Sequence, residues 1–172
     1  MNEAPAVILV ALGSNLHHPE YGNPLQTCEA ALKALETTGL FPVRCSRWFE
    51  TTPVPASEQP NFINAMVQLA PPAELSPETL LAELHGIEAR FGRVRQHRNE
   101  ARLLDLDIID FNGLVTPPGR VPELPHRRMK ERAFVLYPLR DIAPDWRHPN
   151  SGETIDSLIE SLPEGQKIRA LA

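Results

Sequence analysis

The stretch ARLLDLDIIDFNG places two carboxylates, Asp105 and Asp107, inside an otherwise apolar strand. Successive side chains of a strand point to opposite faces, so these two share a face about 6 to 7 Å apart. Carboxylates are depleted in strands, and two like charges this close are tolerated only when solvated, protonated or bridged by a cation. The apolar residues of the strand face the other way and can pack on a core: Leu104, Leu106 and Ile108. The strand therefore predicts a sheet with one buried face and one face that carries a solvated or cation-bridged carboxylate pair.

Positive charge is concentrated on both sides of this strand, although the chain as a whole is acidic. The formal net charge is -5, which argues against a general nucleic-acid binder held by phosphate contacts. Residues 90–102 contain five arginines and one glutamate, and residues 127–132 contain four cations and one glutamate. A solvated surface usually explains a single charge run. Two runs that flank a carboxylate pair instead favour a binding site for anionic groups.

The carboxylate pair and the clustered arginines together indicate Mg²⁺ ions that hold a polyphosphate. Magnesium typically takes one or two carboxylates plus substrate phosphates, whereas guanidinium groups fork onto phosphate oxygens. Such a site transfers phosphoryl-type groups mainly by positioning and charge neutralisation. The sequence has no G-x-x-x-x-G-K-[ST] loop and no protein-kinase signature, so a nucleotide would bind to a different scaffold.

Length and composition predict one domain over residues 1–172, with a core of about 5–146 and a C-terminal extension over 147–172. Cys28 and Cys45 match neither a C-x-x-C redox pair nor a zinc pattern, and we interpret them as reduced packing residues. The apolar opening AVILVALG is too short to cross a bilayer. We expect a cytoplasmic monomer that binds neither membrane nor nucleic acid.

Apolar periodicity predicts the element order βαββαβ. Strands are indicated at residues 7–12, 41–52 and 61–70 and in the aspartate stretch, and helices at residues 25–39 and 77–92. This order predicts an α+β fold of the split βαβ, or ferredoxin-like, kind, with an antiparallel sheet and helices on one face. Helical and irregular additions follow, with a last short helix over residues 155–162.

Five segments in this order resemble one enzyme family: ALGSNL, TTPVPASEQPNFINA, IEARFGRVR, ARLLDLDIIDFNG and LPHRRMKERAFVLYPL. They are similar to the 6-hydroxymethyl-7,8-dihydropterin pyrophosphokinases of folate biosynthesis, and the resemblance extends to about Trp146. It implies transfer of the β,γ-pyrophosphoryl group of ATP to the hydroxymethyl oxygen of a dihydropterin, with release of AMP. An in-line displacement without a covalent enzyme intermediate is expected.

The resemblance also implies roles for individual residues on the phosphate side. Asp105 and Asp107 would bind two Mg²⁺ ions that clamp ATP. The transferring group would be neutralised by Arg93 and Arg102, a mobile loop would carry Arg95 and Arg98, and the phosphates would be met from the other side by His126 and Arg132.

On the pterin side, the resemblance implies that the flat heterocycle stacks on Phe134 and a second ring, for which Phe62 is the candidate. Asn64 would bind the edge of the pterin by its side-chain amide, and Thr51 and Val54 would contribute mainly backbone groups. Taken singly, such residues are more often core or satisfied polar groups; the ordered set favours a site.

Two other functions remain open at this point. Ferredoxin-like domains also serve as RNA-binding or small-molecule regulatory modules, although the acidic balance weighs against RNA. A carboxylate-pair hydrolase would use one aspartate as acid and the other as base or nucleophile, but it would leave the clustered cations unexplained.

Overall fold

The computed structural model describes residues 7–70, 72–92 and 101–172, which form an antiparallel sheet flanked by helices. The strands are β1 Ile8–Ser14, β2 Phe41–Cys45, β3 Phe49–Thr51, β4 Phe62–Ala70, β5 Asp105–Phe111 and β6 Ile168–Ala170. The helices are α1 Pro24–Thr37, α2 Pro77–Arg90, α3 Ala133–Ile142 and α4 Ile155–Glu160, with a 3₁₀ turn at Met129–Glu131. The sheet order is β5-β1-β4-β3-β6, and β2 also pairs with β4. The predicted α+β class is confirmed.

The central strand β1 is buried on both faces, because a helical layer packs on each side of the sheet. All seven of its residues are buried. Ile8, Val10 and Leu12 pack with residues of α1 and α2, whereas Leu9 and Ala11 pack with residues of α3 and α4. The helices of the βαββαβ unit thus lie on one face, as predicted, and the C-terminal helices cover part of the other. None of the helices described is long and apolar enough to cross a membrane.

Local capping fixes where the first two helices begin. Asn23 accepts a hydrogen bond from the Gln26 backbone at 2.9 Å, and the Gln26 side chain accepts one from the Asn23 backbone at 2.9 Å. This capping box satisfies two of the amides that a helix start leaves unpaired. At α2 the Ser76 hydroxyl accepts from the Thr79 amide at 3.1 Å, as the Ser-Pro-Glu sequence predicts.

Two strand predictions need correction. Residues 41–52 form two strands, because Ser46 interrupts the ladder: its hydroxyl accepts from the Met66 amide at 2.9 Å, where a strand would offer a carbonyl. The second correction is β6, which the sequence did not indicate. It has only three residues and pairs with β3, so that Thr51 lies opposite Ile168.

The interpretation of both cysteines as packing residues holds only for Cys28. Cys28 is buried, and burial raises the pKa of its thiol to about 12, so it behaves as a small apolar side chain. Cys45 is exposed on β2. Both thiols are free.

Trp146 joins the C-terminal part of the chain to the aspartate strand. Its indole N–H donates to the Asp110 carboxylate at 2.8 Å, and the other oxygen of Asp110 accepts from the Gly113 amide at 2.9 Å. Asp110 is only 3% exposed, and burial raises its pKa while these bonds oppose the rise. The buried carboxylate thus depends on the indole for one of its donors.

We predict that Trp146→Phe destabilises the fold more than Trp48→Phe does. The first substitution removes a donor from a buried carboxylate, which costs about 1–3 kcal/mol. The indole of Trp48 makes no hydrogen bond within the part of the chain that the structure describes, so its loss changes packing only. Urea unfolding followed by circular dichroism measures both; equal losses would contradict the role of the Asp110 contact.

Candidate active site

A cleft of about 650 Å³, including its open mouth, lies on the face of the sheet opposite α1 and α2. It brings together eight of the residues that the sequence singled out. Four are charged: Arg102, Asp105, Asp107 and Arg132. The other four are Val54, Phe62, Asn64 and Phe134.

The two aspartates stand on β5 as the strand alternation predicts. In the register of the sheet Asp105 lies opposite Gly13 and Asp107 opposite Ala11 on β1. Burial, and then the neighbouring charge of Asp105, raise the pKa of Asp107; the charges of Arg132 and Arg102 oppose this. Ionised Asp107 is therefore unfavourable unless positive charge is close by.

Arg102 supplies part of that charge and keeps further N–H donors for a ligand. One guanidinium nitrogen forms an ion pair with Asp105. The buried Nε has no hydrogen-bond acceptor among the residues described. An N–H left unpaired under burial is costly. The terminal guanidinium N–H groups that do not bind Asp105 can donate to an anionic oxygen in the cleft.

Arg132 enters the cleft from the start of α3. Burial lowers its pKa, and the charge of Asp107 partly restores it. Its guanidinium carbon lies 5.3 Å from the centre of the Phe134 ring, which is within cation–π range. A cation and an aromatic face are thus presented side by side.

His126 lies beside the aspartate strand and does not line the cleft. Its backbone N–H donates to the carbonyl of Ile109 on β5 at 2.9 Å. Burial, and then the charge of Arg132, lower the pKa of His126 to about 4, so the ring is neutral at pH 7. Since Nδ1 accepts from the Arg128 amide at 3.2 Å, the proton is on Nε2.

Asn64 forms the opposite wall and has a fixed orientation. It is 5% exposed, and its amide N–H donates to the hydroxyl of Thr51, itself 3% exposed, at 2.6 Å. A Cβ on Gly13 would lie only 2.8 Å from the Asn64 side-chain oxygen. The carboxamide therefore occupies space that a glycine on β1 leaves open.

Asn15, to which the sequence analysis assigned no role, connects three segments at the end of the cleft. Its side-chain oxygen accepts from the Arg102 amide at 2.7 Å, and its side-chain nitrogen donates to Gln59 at 3.2 Å and to the Pro60 carbonyl at 3.0 Å. Asn15 is 2% exposed. The available signal was an asparagine placed directly after a buried strand, β1.

Three predicted phosphate-binding residues, Arg93, Arg95 and Arg98, lie outside the described residues.

The carboxylate pair has the chemistry of a magnesium site that a substrate completes. Residues 7–70, 72–92 and 101–172 contain no group of three or more His, Cys, Asp or Glu that could hold a metal ion alone. Mg²⁺ often binds through one or two carboxylates together with substrate phosphates. Asp105 and Asp107, half-buried on one face of β5, fit such a partial ligand set.

Comparisons with known proteins agree with this chemistry. A curated pyrophosphokinase of Synechocystis sp., 2-amino-4-hydroxy-6-hydroxymethyldihydropteridine pyrophosphokinase, is 39% identical over 155 residues, which cover 90% of this chain and 75% of the relative. The enzyme of that name from Pseudomonas aeruginosa is 39% identical and covers 91% of each chain.

A crystal structure of wild-type HPPK-DHPS from Plasmodium falciparum with pteroate has the same fold, with a TM-score of 0.66 and 13% identity. The match covers 93% of this chain and 45% of that longer one. The family model of 7,8-dihydro-6-hydroxymethylpterin-pyrophosphokinase matches residues 9–144. The chain belongs to this pyrophosphokinase family.

Proposed function

We propose that the chain transfers the β,γ-pyrophosphoryl group of ATP to the hydroxymethyl group of 6-hydroxymethyl-7,8-dihydropterin, giving AMP and the pterin pyrophosphate in folate biosynthesis. The observation that carries this proposal is a single cleft with two different walls. One wall presents carboxylates and arginines, which suit a metal-bound polyphosphate. The other presents Asn64 and the Phe62 ring, and the Phe134 ring stands beside Arg132. An amide and two rings suit a flat heterocycle with polar edges.

On the phosphate wall, Asp105 and Asp107 would hold Mg²⁺, and the family resemblance implies two ions. Bound Mg²⁺ supplies positive charge that neutralises and orients the triphosphate. Arg102 would donate a terminal guanidinium N–H to a phosphate oxygen while its ion pair to Asp105 fixes the guanidinium. Arg132 would bring a second cation to the same oxygens.

On the pterin wall, Asn64 would read the edge of the heterocycle. Because one amide N–H is committed to Thr51, the second N–H and the carbonyl oxygen remain for ligand groups of opposite polarity. Phe134 and Phe62 line the cleft and offer faces on which a ring can stack.

The transfer would be an in-line displacement at the β-phosphorus. A bond forms between the hydroxymethyl oxygen and that phosphorus, and the bond from the phosphorus to the oxygen shared with the α-phosphate breaks, so AMP departs with this oxygen. The hydroxyl proton leaves to solvent or to a phosphate oxygen. Neutral His126 is suited to donate from Nε2 and is not assigned as the base.

The decisive assay combines ATP, the dihydropterin and Mg²⁺ and separates AMP from ADP. We expect AMP and pterin pyrophosphate in equal amounts, abolished by EDTA and reduced at least about a hundredfold in Asp107→Asn, since a group that stabilises transition-state charge is lost.

Three outcomes would contradict the proposal. ADP as product would mean transfer at the γ-phosphorus. Activity without Mg²⁺ would favour the carboxylate-pair hydrolase, and no turnover by a folded, nucleotide-binding protein would favour a binding module.

Asp107→Asn should also make the metal-free protein more stable at pH 8. Burial and the charge of Asp105 raise the pKa of Asp107 in the folded state, so the unfolded chain releases this proton more readily. The free energy of unfolding of the wild type therefore falls as the pH rises from the pKa of Asp107 in the unfolded chain to its pKa in the folded chain. Thermal unfolding in EDTA at pH 5 and pH 8 should show an advantage of the variant that grows with pH. If Asp107→Asn were less stable than wild type at pH 8, ionised Asp107 would not destabilise the metal-free fold, and the prediction would be wrong.

Gly13→Ala should weaken binding of the pterin but not of ATP. The new methyl would meet the Asn64 oxygen at 2.8 Å and displace the carboxamide; the loss of one oriented amide predicts roughly tenfold weaker binding. Gly86→Ala is the matched control, since no atom lies within 4 Å of its added Cβ on α2. Calorimetric titration with the pterin and with a non-hydrolysable ATP analogue measures both. An equal loss of affinity for the pterin and for the ATP analogue would contradict a specific role of Asn64 in pterin binding.

A further inference from the structure

The last strand of the chain and the turn before it lie against both walls of the cleft. The family model ends at residue 144, so this segment, residues 165–170, is outside the match. Gly165 has a φ of +92° and turns the chain toward β6. The residues that follow make contacts with the start of α3 on one side and with β3 on the other.

Gln166 binds the backbone on both sides of Arg132. Its side-chain oxygen accepts from the Ala133 amide at 2.8 Å, and its side-chain nitrogen donates to the Glu131 carbonyl at 2.7 Å. The helix α3 has no side-chain cap of its own, because the N-cap residue is Arg132. A glutamine 33 residues away in the chain from Ala133 therefore performs the capping that Ser, Asp or Asn usually provides locally.

The neighbouring residue binds the opposite wall. The Lys167 carbonyl accepts from the Thr52 amide at 3.0 Å, and the Lys167 amide donates to the Thr52 hydroxyl at 3.1 Å. Thr52 lines the cleft next to Val54. Two successive residues of the C-terminal segment thus hold the wall that carries Arg132 and the wall that carries Val54.

We propose that Gln166 is a positioning residue for the pyrophosphoryl transfer; the inference rests on the proposed function. Its two hydrogen bonds set the direction in which Arg132 and Phe134 leave the backbone and enter the cleft. Through Lys167 the same segment keeps these side chains at a defined distance from the Thr52 wall. Catalytic groups need placement to within about 0.5 Å, and a helix start without a cap frays.

The test is Gln166→Met in the 172-residue chain, which keeps the volume of the side chain and removes both hydrogen bonds. We expect kcat/KM for ATP and for the pterin to fall roughly tenfold, because small displacements of positioned groups are costly. Gln166→Glu should recover part of the activity, since it keeps the acceptor for the Ala133 amide and places a negative charge at the start of α3.

The matched control is Gln26→Met, which removes the capping-box side chain of α1, a glutamine that does not line the cleft. Both variants should lower the unfolding temperature by similar amounts, but only Gln166→Met should change kcat/KM. Equal kinetics of the two variants would overturn the inference and leave Gln166 as a structural cap.

A double-mutant cycle with Arg132→Lys tests the route of the effect. If Gln166 acts through Arg132, the two losses in kcat/KM are not additive, whereas independent sites give additive losses. Additivity would overturn the inference. Two measurements separate the two proposals. In the AMP assay, a wild-type chain that makes no AMP refutes the function. In a titration with a non-hydrolysable ATP analogue, unchanged affinity in Gln166→Met refutes the positioning role.

Discussion

Two like charges on one half-buried face of a strand are the constraint on which the site depends. Burial and mutual repulsion raise the pKa of Asp107, so its ionised form needs cations close to it. Arg102 and Arg132 provide them within the chain, and bound metal would provide more. On its edge away from β1, strand β5 is held by Glu88 of α2. The buried Glu88 carboxylate accepts a hydrogen bond from the Leu106 amide at 3.1 Å. A site of this kind is less stable empty than filled, which favours ligand binding.

Long-range hydrogen bonds to backbone groups hold the cleft-lining residues in place. Asn15 connects the segment of Arg102 to the loop that ends at Pro60, and Gln166 connects Arg132 to the C-terminal segment. Each bond alone contributes only about 1 kcal/mol. Because each fixes the origin of a charged side chain, its effect on catalysis can exceed its effect on stability.

The sequence predicted those parts of the molecule that follow from local periodicity. The helices α1 and α2 and the direction of Asp105 and Asp107 depend only on neighbours a few residues away. The break at Ser46, the strand β6 and the capping by Gln166 depend on partners 20 residues or more distant. No spacing rule indicates such partners, so these features could be found only in the folded chain. The position of His126 beside the cleft is of the same kind.

The register of the sheet sets the distance between Asn64 on β4 and the carboxylate pair on β5. Gly13 on β1 lies opposite Asn64 on β4 and opposite Asp105 on β5, so these three residues form one row across three strands. Neighbouring strands are about 4.8 Å apart, which places the Asn64 amide and the Asp105 carboxylate on strands about 10 Å apart. The next residue of β1 on this face is Ala11, opposite Asp107. Small residues at both positions keep the floor of the cleft low, so that a ligand can lie across β1 between the Asn64 amide and the two carboxylates. A side chain at residue 13 would occupy this space, since a Cβ there would already lie 2.8 Å from the Asn64 side-chain oxygen.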